Sequence, residues 1–253
     1  MRRLVALLFL LLAAPAAAQQ PPRLIADVSQ SRIDIEYSFA GAELLIFGAI
    51  QYPGGRTPEK APDIVVIVRG PPQPITIRRK EKVLGIWMNV DAVRFETAPG
   101  FYAVATSAPS TRLTDERTAS IYELGLDHLQ LSPASGNPPE EIRAFEEGLL
   151  DLRRRGGLYT EAAGGVDIVE KVLYRARIAL PSDVPVGRYA AEIYLVRDGQ
   201  VQARAAREIV IGKSGFERAV YVAAQDHELS YGLFAVALAL ISGWAASALV
   251  RRN

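Results

Sequence analysis

The chain has no cysteine, and among its 253 residues it has only two histidines, two methionines and two tryptophans. Without cysteine there is no disulfide framework, no thiol nucleophile and no thiolate ligand for a metal. The histidines, His128 and His227, are far apart in the sequence, and no set of carboxylates is marked to complete a zinc site around either of them. We therefore interpret both as ordinary surface or interface residues, and we expect stability to come from apolar cores.

Recognisable catalytic motifs are also missing. The sequence has no G-x-S-x-G, no phosphate-binding P-loop, no G-x-G-x-x-G and no H-E-x-x-H. We therefore expect neither an enzyme nor a bound cofactor or metal. The formal net charge is +1, and it becomes −3 when the terminal arginines at positions 2, 3, 251 and 252 are set aside. An acidic balance argues against a nucleic-acid partner, which usually requires a basic face.

The two ends of the chain carry the longest apolar runs. Arg2 and Arg3 precede a short apolar stretch and an A-x-A site ending at Ala18, which predicts a cleaved signal peptide over residues 1–18. The alternative is an uncleaved anchor. Residues 232–250 carry no charge and, as a helix, span about 30 Å, the thickness of a bilayer core. Arg251 and Arg252 follow directly, which places the C-terminus in the cytoplasm.

This topology predicts a single-pass protein of the bacterial inner membrane, with its N-terminal part in the periplasm. Between the two ends, short β-branched and alternating runs separated by turn signals predict a mainly β fold. We expect two immunoglobulin-like β-sandwich domains, at 23–112 and 157–213, joined by a helical connector at 113–156. A juxtamembrane segment, 214–230, then leads to the transmembrane helix at 231–250. Residues 215–228 are interpreted as a short surface helix or, alternatively, as a last strand.

A polar run stands out in the first β region. It combines Arg78, Arg79, Lys80 and Lys82 with Trp87. One interpretation is an anion-binding rim beside an aromatic side chain. The other is a solvated turn that leads into a core strand, because charge runs of this length usually face water.

The C-terminal helix gathers its small residues on one face: Gly232, Ala235, Ala239, Ser242, Gly243 and Ala246. Small side chains allow the backbones of two membrane helices to approach closely, and Ser242 could add a hydrogen bond. The partner would be another copy or another membrane-embedded protein. The alternative is that the face merely reflects how common alanine is in such spans.

Three stretches carry a resemblance to a known family: Lys80–Asn89, Ala98–Ala105, and Tyr231-Gly-Leu with Gly243-Trp244. They resemble the alphaproteobacterial putative transmembrane proteins, over nearly the whole mature chain. Members of that family tend to be encoded beside a permease of the sulfite-exporter type. The resemblance implies a non-enzymatic accessory or binding subunit for such a membrane partner. An envelope structural or assembly module, or a periplasmic enzyme, are the alternatives.

Overall fold

The structure is a computed structural model that describes residues 21–35, 39–134, 136–213, 224–225 and 228–250. The predicted signal peptide and most of the predicted juxtamembrane segment lie outside these residues. Within them the chain forms thirteen strands and four α-helices, and the strands dominate. The prediction of a mainly β fold is confirmed.

The elements follow one another in this order. The strands are β1 (Arg23–Val28), β2 (Arg32–Ile35), β3 (Ala42–Gln51), β4 (Asp63–Arg69), β5 (Pro72–Val83), β6 (Ile86–Pro99), β7 (Tyr102–Thr106), β8 (Ser132–Pro133), β9 (Tyr159–Ala163), β10 (Val166–Val169), β11 (Leu173–Leu180), β12 (Gly187–Arg197) and β13 (Gln200–Lys213). The helices are α1 (Ser110–Leu113), α2 (Glu116–Tyr122), α3 (Pro139–Arg155) and α4 (Glu228–Val250), with short 3-10 turns at Pro53–Gly55 and Leu126–His128.

Two sheets pack on each other to form a sandwich. One has the strand order β1-β3-β11-β10 and the other the order β2-β13-β12-β4-β7-β9. Buried side chains of both sheets belong to a single apolar core, in which the β-branched run Ile64–Val68 of β4 is almost completely inaccessible. Such continuous burial explains why this run lacks the polar–apolar alternation of a half-exposed strand.

The predicted division into two β domains is wrong, because strands from both predicted domains share both sheets. β3 pairs with β11, and β4 pairs with β12. Residues 23–112 and 157–213 therefore build one sandwich rather than two immunoglobulin-like ones. Alternation along a strand tells which face is buried, but it does not tell which other strand lies beside it.

A second, smaller core lies apart from the first. Its buried members come from β6 and α3: Val93, Phe95, Ala98, Phe145 and Leu149. Helix α3 falls within the segment predicted as a helical connector, together with α2 and the 3-10 turn Leu126–His128. This small core joins α3 to a third sheet, β5-β6-β8, which projects from the sandwich.

The C-terminal helix α4 covers the segment predicted to span a membrane, 231–250. Counting only the residues that the structure describes, no helix combines the length and the apolar character required to cross a bilayer.

Candidate functional site: a projecting β-hairpin

The hairpin β5–β6 continues two central strands of the sandwich. β4 and β7 pair up to Arg69 and Tyr102, and the pairing resumes at Pro72 and Pro99. Between them, the Gly70 N–H donates to the Phe101 carbonyl at 2.8 Å, and the Gly100 N–H donates to the Pro71 carbonyl at 2.9 Å. The four strands therefore form one long ribbon that runs out of the sandwich.

The root of this ribbon is tightly packed. A Cβ at Gly70 would lie 2.9 Å from Tyr189 Cε1 and 3.0 Å from Phe101 Cβ, so only glycine fits there without movement. The Tyr159 hydroxyl donates to the Pro99 carbonyl at 2.6 Å. Burial raises the pKa of Tyr159 to about 12, although Arg153 opposes this shift. These contacts fix the position at which the hairpin leaves the sandwich.

Helix α3 supports the next part of the hairpin. Phe145 and Leu149 of α3 pack against Val93 and Phe95 of β6, and the guanidinium carbon of Arg79 lies 5.9 Å from the centre of the Phe145 ring. A two-stranded ribbon without such a support is only marginally stable in water. The small core therefore holds the ribbon in a defined direction.

Beyond this support the ribbon is exposed on both faces. Every residue from 78 to 90 is exposed. Leu84 and Gly85 form the turn, both with positive φ (51° and 87°), which is the requirement of a tight two-residue hairpin turn. Around the turn stand six exposed apolar side chains: Val83, Leu84, Ile86, Trp87, Met88 and Val90. We call residues 78–90 the hairpin tip.

Strand pairing places the residues of the predicted anion site on two different faces of the tip. Lys82 lies opposite Trp87, Lys80 opposite Asn89, and Arg78 opposite Ala92, so these side chains share one face. Arg79 lies opposite Asp91 on the other face. A bulge at Val90 shifts the register between these pairs. The structure thus groups Arg78, Lys80, Lys82 and Trp87, and separates Arg79 from them.

The basic side chains of the two faces also differ in whether they form ion pairs. Arg79 forms ion pairs with Asp91 and, at 3.2 Å, with Glu81. Arg78, Lys80 and Lys82 have no carboxylate within ion-pair distance in the described part of the chain. The basic face of the tip is therefore not neutralised by carboxylates of the described residues, and the binding of an anion there stays a prediction.

Sequence reasoning missed the apolar half of this surface. One of the two interpretations of the polar run placed a core strand directly after it, over the residues that contain Trp87. Trp87 is instead 68% exposed. The signal that could have revealed the hairpin is Leu84-Gly85, placed midway between two β-prone runs of similar length.

The predicted helix-packing residues lie on α4. Among the described residues, no atom outside the helix lies within 4 Å of a Cβ built at Gly232 or Gly243. The Ser242 hydroxyl donates to the Leu238 carbonyl at 2.7 Å. The side chain of Ala246 lies outside the described residues. Large apolar side chains are exposed on the rest of the helix, including Leu233, Leu240 and Trp244. Packing of this helix on a partner stays a prediction.

His128 shares a small cavity with acidic side chains. His128 Nδ1 lies 3.8 Å from Glu116, and the two residues line a small cavity together with Asp127 and Glu161. Across the described ranges, no group of three or more histidine, aspartate or glutamate side chains is arranged to hold a metal ion.

The fold and the hairpin define a mainly β protein, with one two-sheet sandwich and a projecting, apolar-tipped ribbon. More particularly, the chain belongs to the family described as Putative transmembrane protein (Alph_Pro_TM), whose model matches residues 23–252. No curated protein and no solved structure shows significant similarity to it.

Proposed function

We propose that this protein is a non-enzymatic, membrane-anchored binding subunit that docks on a membrane-embedded protein through its hairpin tip. The observation that carries the proposal is the exposure of the whole tip, where six apolar side chains surround the turn and one face carries basic side chains without an ion-pair partner among the described residues. Contiguous apolar surface rimmed by polar groups is typical of interaction sites. Tryptophan, methionine and arginine are also enriched in protein interfaces.

The position of the tip supports a partner in the membrane. The ribbon leaves the sandwich beside Gly187, which pairs with Ile211 near the end of β13. The chain leaves the sandwich at this same end and continues to α4. From Arg78 to Val83 the tip reaches roughly 17 Å beyond its supported base. The recognition surface and the route to the C-terminal helix therefore start from one end of the sandwich.

Anchoring is supported by the family and by α4. The family is named for a transmembrane character, and the exposed side chains of α4 are almost all apolar. We place the sandwich in the periplasm and the C-terminus in the cytoplasm of a bacterial inner-membrane protein. Reporter fusions after Lys213 and Asn253 test this topology. Activity of a cytoplasmic reporter at the first position would contradict it.

The partner we propose is an integral membrane protein, and the family resemblance points to a permease of the sulfite-exporter type. To test docking, a photoreactive amino acid replaces Trp87 in the full chain, and native membranes are irradiated. We expect one discrete adduct with an integral membrane protein, which disappears when Ile86 and Met88 are changed to serine. The matched control carries the photoreactive group at Leu173, an exposed residue on the sandwich.

The possible results separate the alternatives. Adducts with lipid alone would assign the tip to the bilayer surface and reject a protein partner. Equal protein adducts from positions 87 and 173 would show collision without docking. Many different envelope proteins and no single integral partner would favour a structural or assembly module.

The helix α4 offers a second mode of association, either with the same partner or with another copy. If its small-residue face packs against another helix, Ala239→Leu or Gly243→Leu should weaken crosslinking in the membrane by several-fold, because a larger side chain prevents close backbone approach. Leu240→Ala, which lies outside this face, is the control and should have no effect. Equal yields for the three variants would show that α4 is only a tether.

A further inference from the structure

The end of the sandwich opposite the hairpin contains a groove made of three neighbouring cavities. Their volumes are about 570, 500 and 550 Å³. The first and third share Tyr52, Pro53 and Gly54, and the first and second share Arg23 and Gln51. Each volume lies within the range of about 300–1,000 Å³ that is usual for small-ligand sites.

Four arginines line this groove: Arg23, Arg56, Arg197 and Arg204. Among the described residues, no aspartate or glutamate lines any of these three cavities. Asp63 and Asp198 line a smaller neighbouring cavity of about 210 Å³, which shares Pro58 and Arg197 with the groove. The four arginines come from separate parts of the chain, namely β1, the loop after β3, and the two strands of the β12–β13 hairpin. The fold therefore concentrates positive charge at a place where the sequence shows no basic run.

These arginines differ from nine of the fifteen other arginines that the structure describes. Nine arginines elsewhere form ion pairs with a carboxylate, for example Arg175 with Asp167 at 3.1 Å and Arg177 with Glu43 at 3.5 Å. None of the four groove arginines has a carboxylate within 4.0 Å among the residues that the structure describes. The positive charges of the groove are therefore not neutralised by neighbouring carboxylates of the described residues.

Arg197 is the most enclosed of the four. It is only partly exposed, and one of its terminal guanidinium nitrogens, Nη2, is buried with no hydrogen-bond partner. A charged group that is withdrawn from water without a partner is costly. An anion bound to the accessible edge of the guanidinium would compensate this charge.

The remaining groove residues suit a small polar ligand. Gln51 and Gln202 add amide groups, whereas the Tyr52 hydroxyl is already used, since it donates to the Lys171 carbonyl at 2.8 Å. Prolines at positions 21, 22, 53 and 58 form stiff walls. Arginine is the side chain that best matches the two oxygens of a carboxylate or phosphate.

We propose that this groove binds a small organic anion that carries carboxylate or phosphate groups. The site is distinct from the hairpin tip and does not depend on the proposed docking. The same chemistry could come from a free anion or from a lipid headgroup, and the experiment separates these two sources.

The test uses the full chain in nanodiscs of neutral phosphatidylcholine. Isothermal titration with citrate and with inorganic phosphate measures free anions, and cosedimentation with phosphatidylglycerol vesicles measures headgroup binding. We expect saturable binding of at least one probe, weakened at least tenfold in Arg197→Gln and in Arg56→Gln. Arg175→Gln removes the same charge from the outside of the sandwich and should bind within about twofold of the wild type. Saturable binding to the vesicles without binding to either free anion would assign the headgroup as the source.

Two results would overturn the proposal. One is the absence of saturable binding to both free anions and to the vesicles. The other is equal affinity in the wild type and both groove variants. Far-UV circular dichroism of each variant shows whether the fold is intact, and Arg56→Gln keeps the test valid if Arg197→Gln misfolds, because Arg56 is exposed.

Discussion

The continuous ribbon formed by β4, β5, β6 and β7 is buried in one part and exposed to solvent in another. Where it forms β4, five consecutive residues from Ile64 to Val68 are each at most 1% exposed. Where it forms the hairpin tip, every residue from 78 to 90 is exposed. Both stretches are rich in apolar side chains, but those of β4 are explained by the sandwich core. Those of the tip contribute to no described core, so the stability of the fold gives no reason for them.

The largest difference between these regions should appear in the free energy of unfolding. Ile193 is completely buried in the sandwich, so Ile193→Ala should cost roughly 2–5 kcal/mol. Ile86 is 68% exposed in the tip, so Ile86→Ala should change the same quantity by less than about 0.5 kcal/mol. Denaturant titration of the full chain in detergent, followed by circular dichroism, measures both. Similar losses would show that the tip is packed inside the folded protein.

The small core should behave as a local unit between these two extremes. Phe145→Ala removes the aromatic side chain that α3 contributes to it and should cost about 3–5 kcal/mol of local stability. Hydrogen exchange should therefore accelerate in β5 and β6, while β12 and β13 remain protected. Glu147→Ala, at an exposed position of the same helix, is the control. Faster exchange throughout the sandwich would show that the hairpin and the sandwich unfold together.

A smaller, pH-dependent effect is expected at the hairpin root. The unfolded pKa of tyrosine is about 10, and burial raises that of Tyr159 to about 12. Because the folded pKa is the higher one, this tyrosine contributes its full stability below pH 10 and loses it as the pH rises toward 12. Tyr159→Phe should lower stability at pH 7 by about 1 kcal/mol, through the lost hydrogen bond to Pro99. It should also flatten the alkaline decline.

Denaturant titrations at several pH values between 7 and 12 measure this slope. Burial also raises the pKa of Tyr194 to about 12, so part of the decline should persist in the variant. An unchanged slope in Tyr159→Phe would mean that the root opens before this hydroxyl ionises.

The sequence was sufficient for some of these features and insufficient for others. Asp198-Gly199 is a dipeptide typical of tight hairpin turns, it forms the turn between β12 and β13, and both residues adopt the required positive φ. Local signals of this kind depend only on the residues at the turn itself. The pairing of β3 with β11 depends on side chains more than a hundred positions apart, and no pattern within either strand records it. The predicted two domains failed for this reason.

The candidate sites also differ in how far the sequence could predict them. The basic run at 78–82 was visible because its members are consecutive. The apolar tip was misread because β-prone, apolar residues look alike whether they enter a core or leave it. The groove arginines could not be predicted at all, because positions 23, 56, 197 and 204 meet only after the sandwich has formed. Charge that folding brings together is invisible to any search for local runs.

The smallest stability effect, and the sharpest separation of function from fold, is expected for charge reversal in the tip. Lys80 and Lys82 are exposed and have no ion-pair partner among the described residues, so Lys80→Glu with Lys82→Glu should change the free energy of unfolding by less than about 0.5 kcal/mol. The charge of the tip nevertheless falls from +3 to −1, because two positive groups become negative beside Arg78, Arg79 and Glu81.

If the basic face guides docking, the yield of the Trp87 photo-adduct in native membranes should fall several-fold, and the wild-type yield should fall with added salt. The control applies the same change of charge to Arg112 and Arg117 in the helical segment, which are also exposed. An equal loss in the control would mean that only overall charge matters. An unchanged yield in the tip variant would leave the apolar side chains as the whole recognition surface and the basic face as a solvated turn.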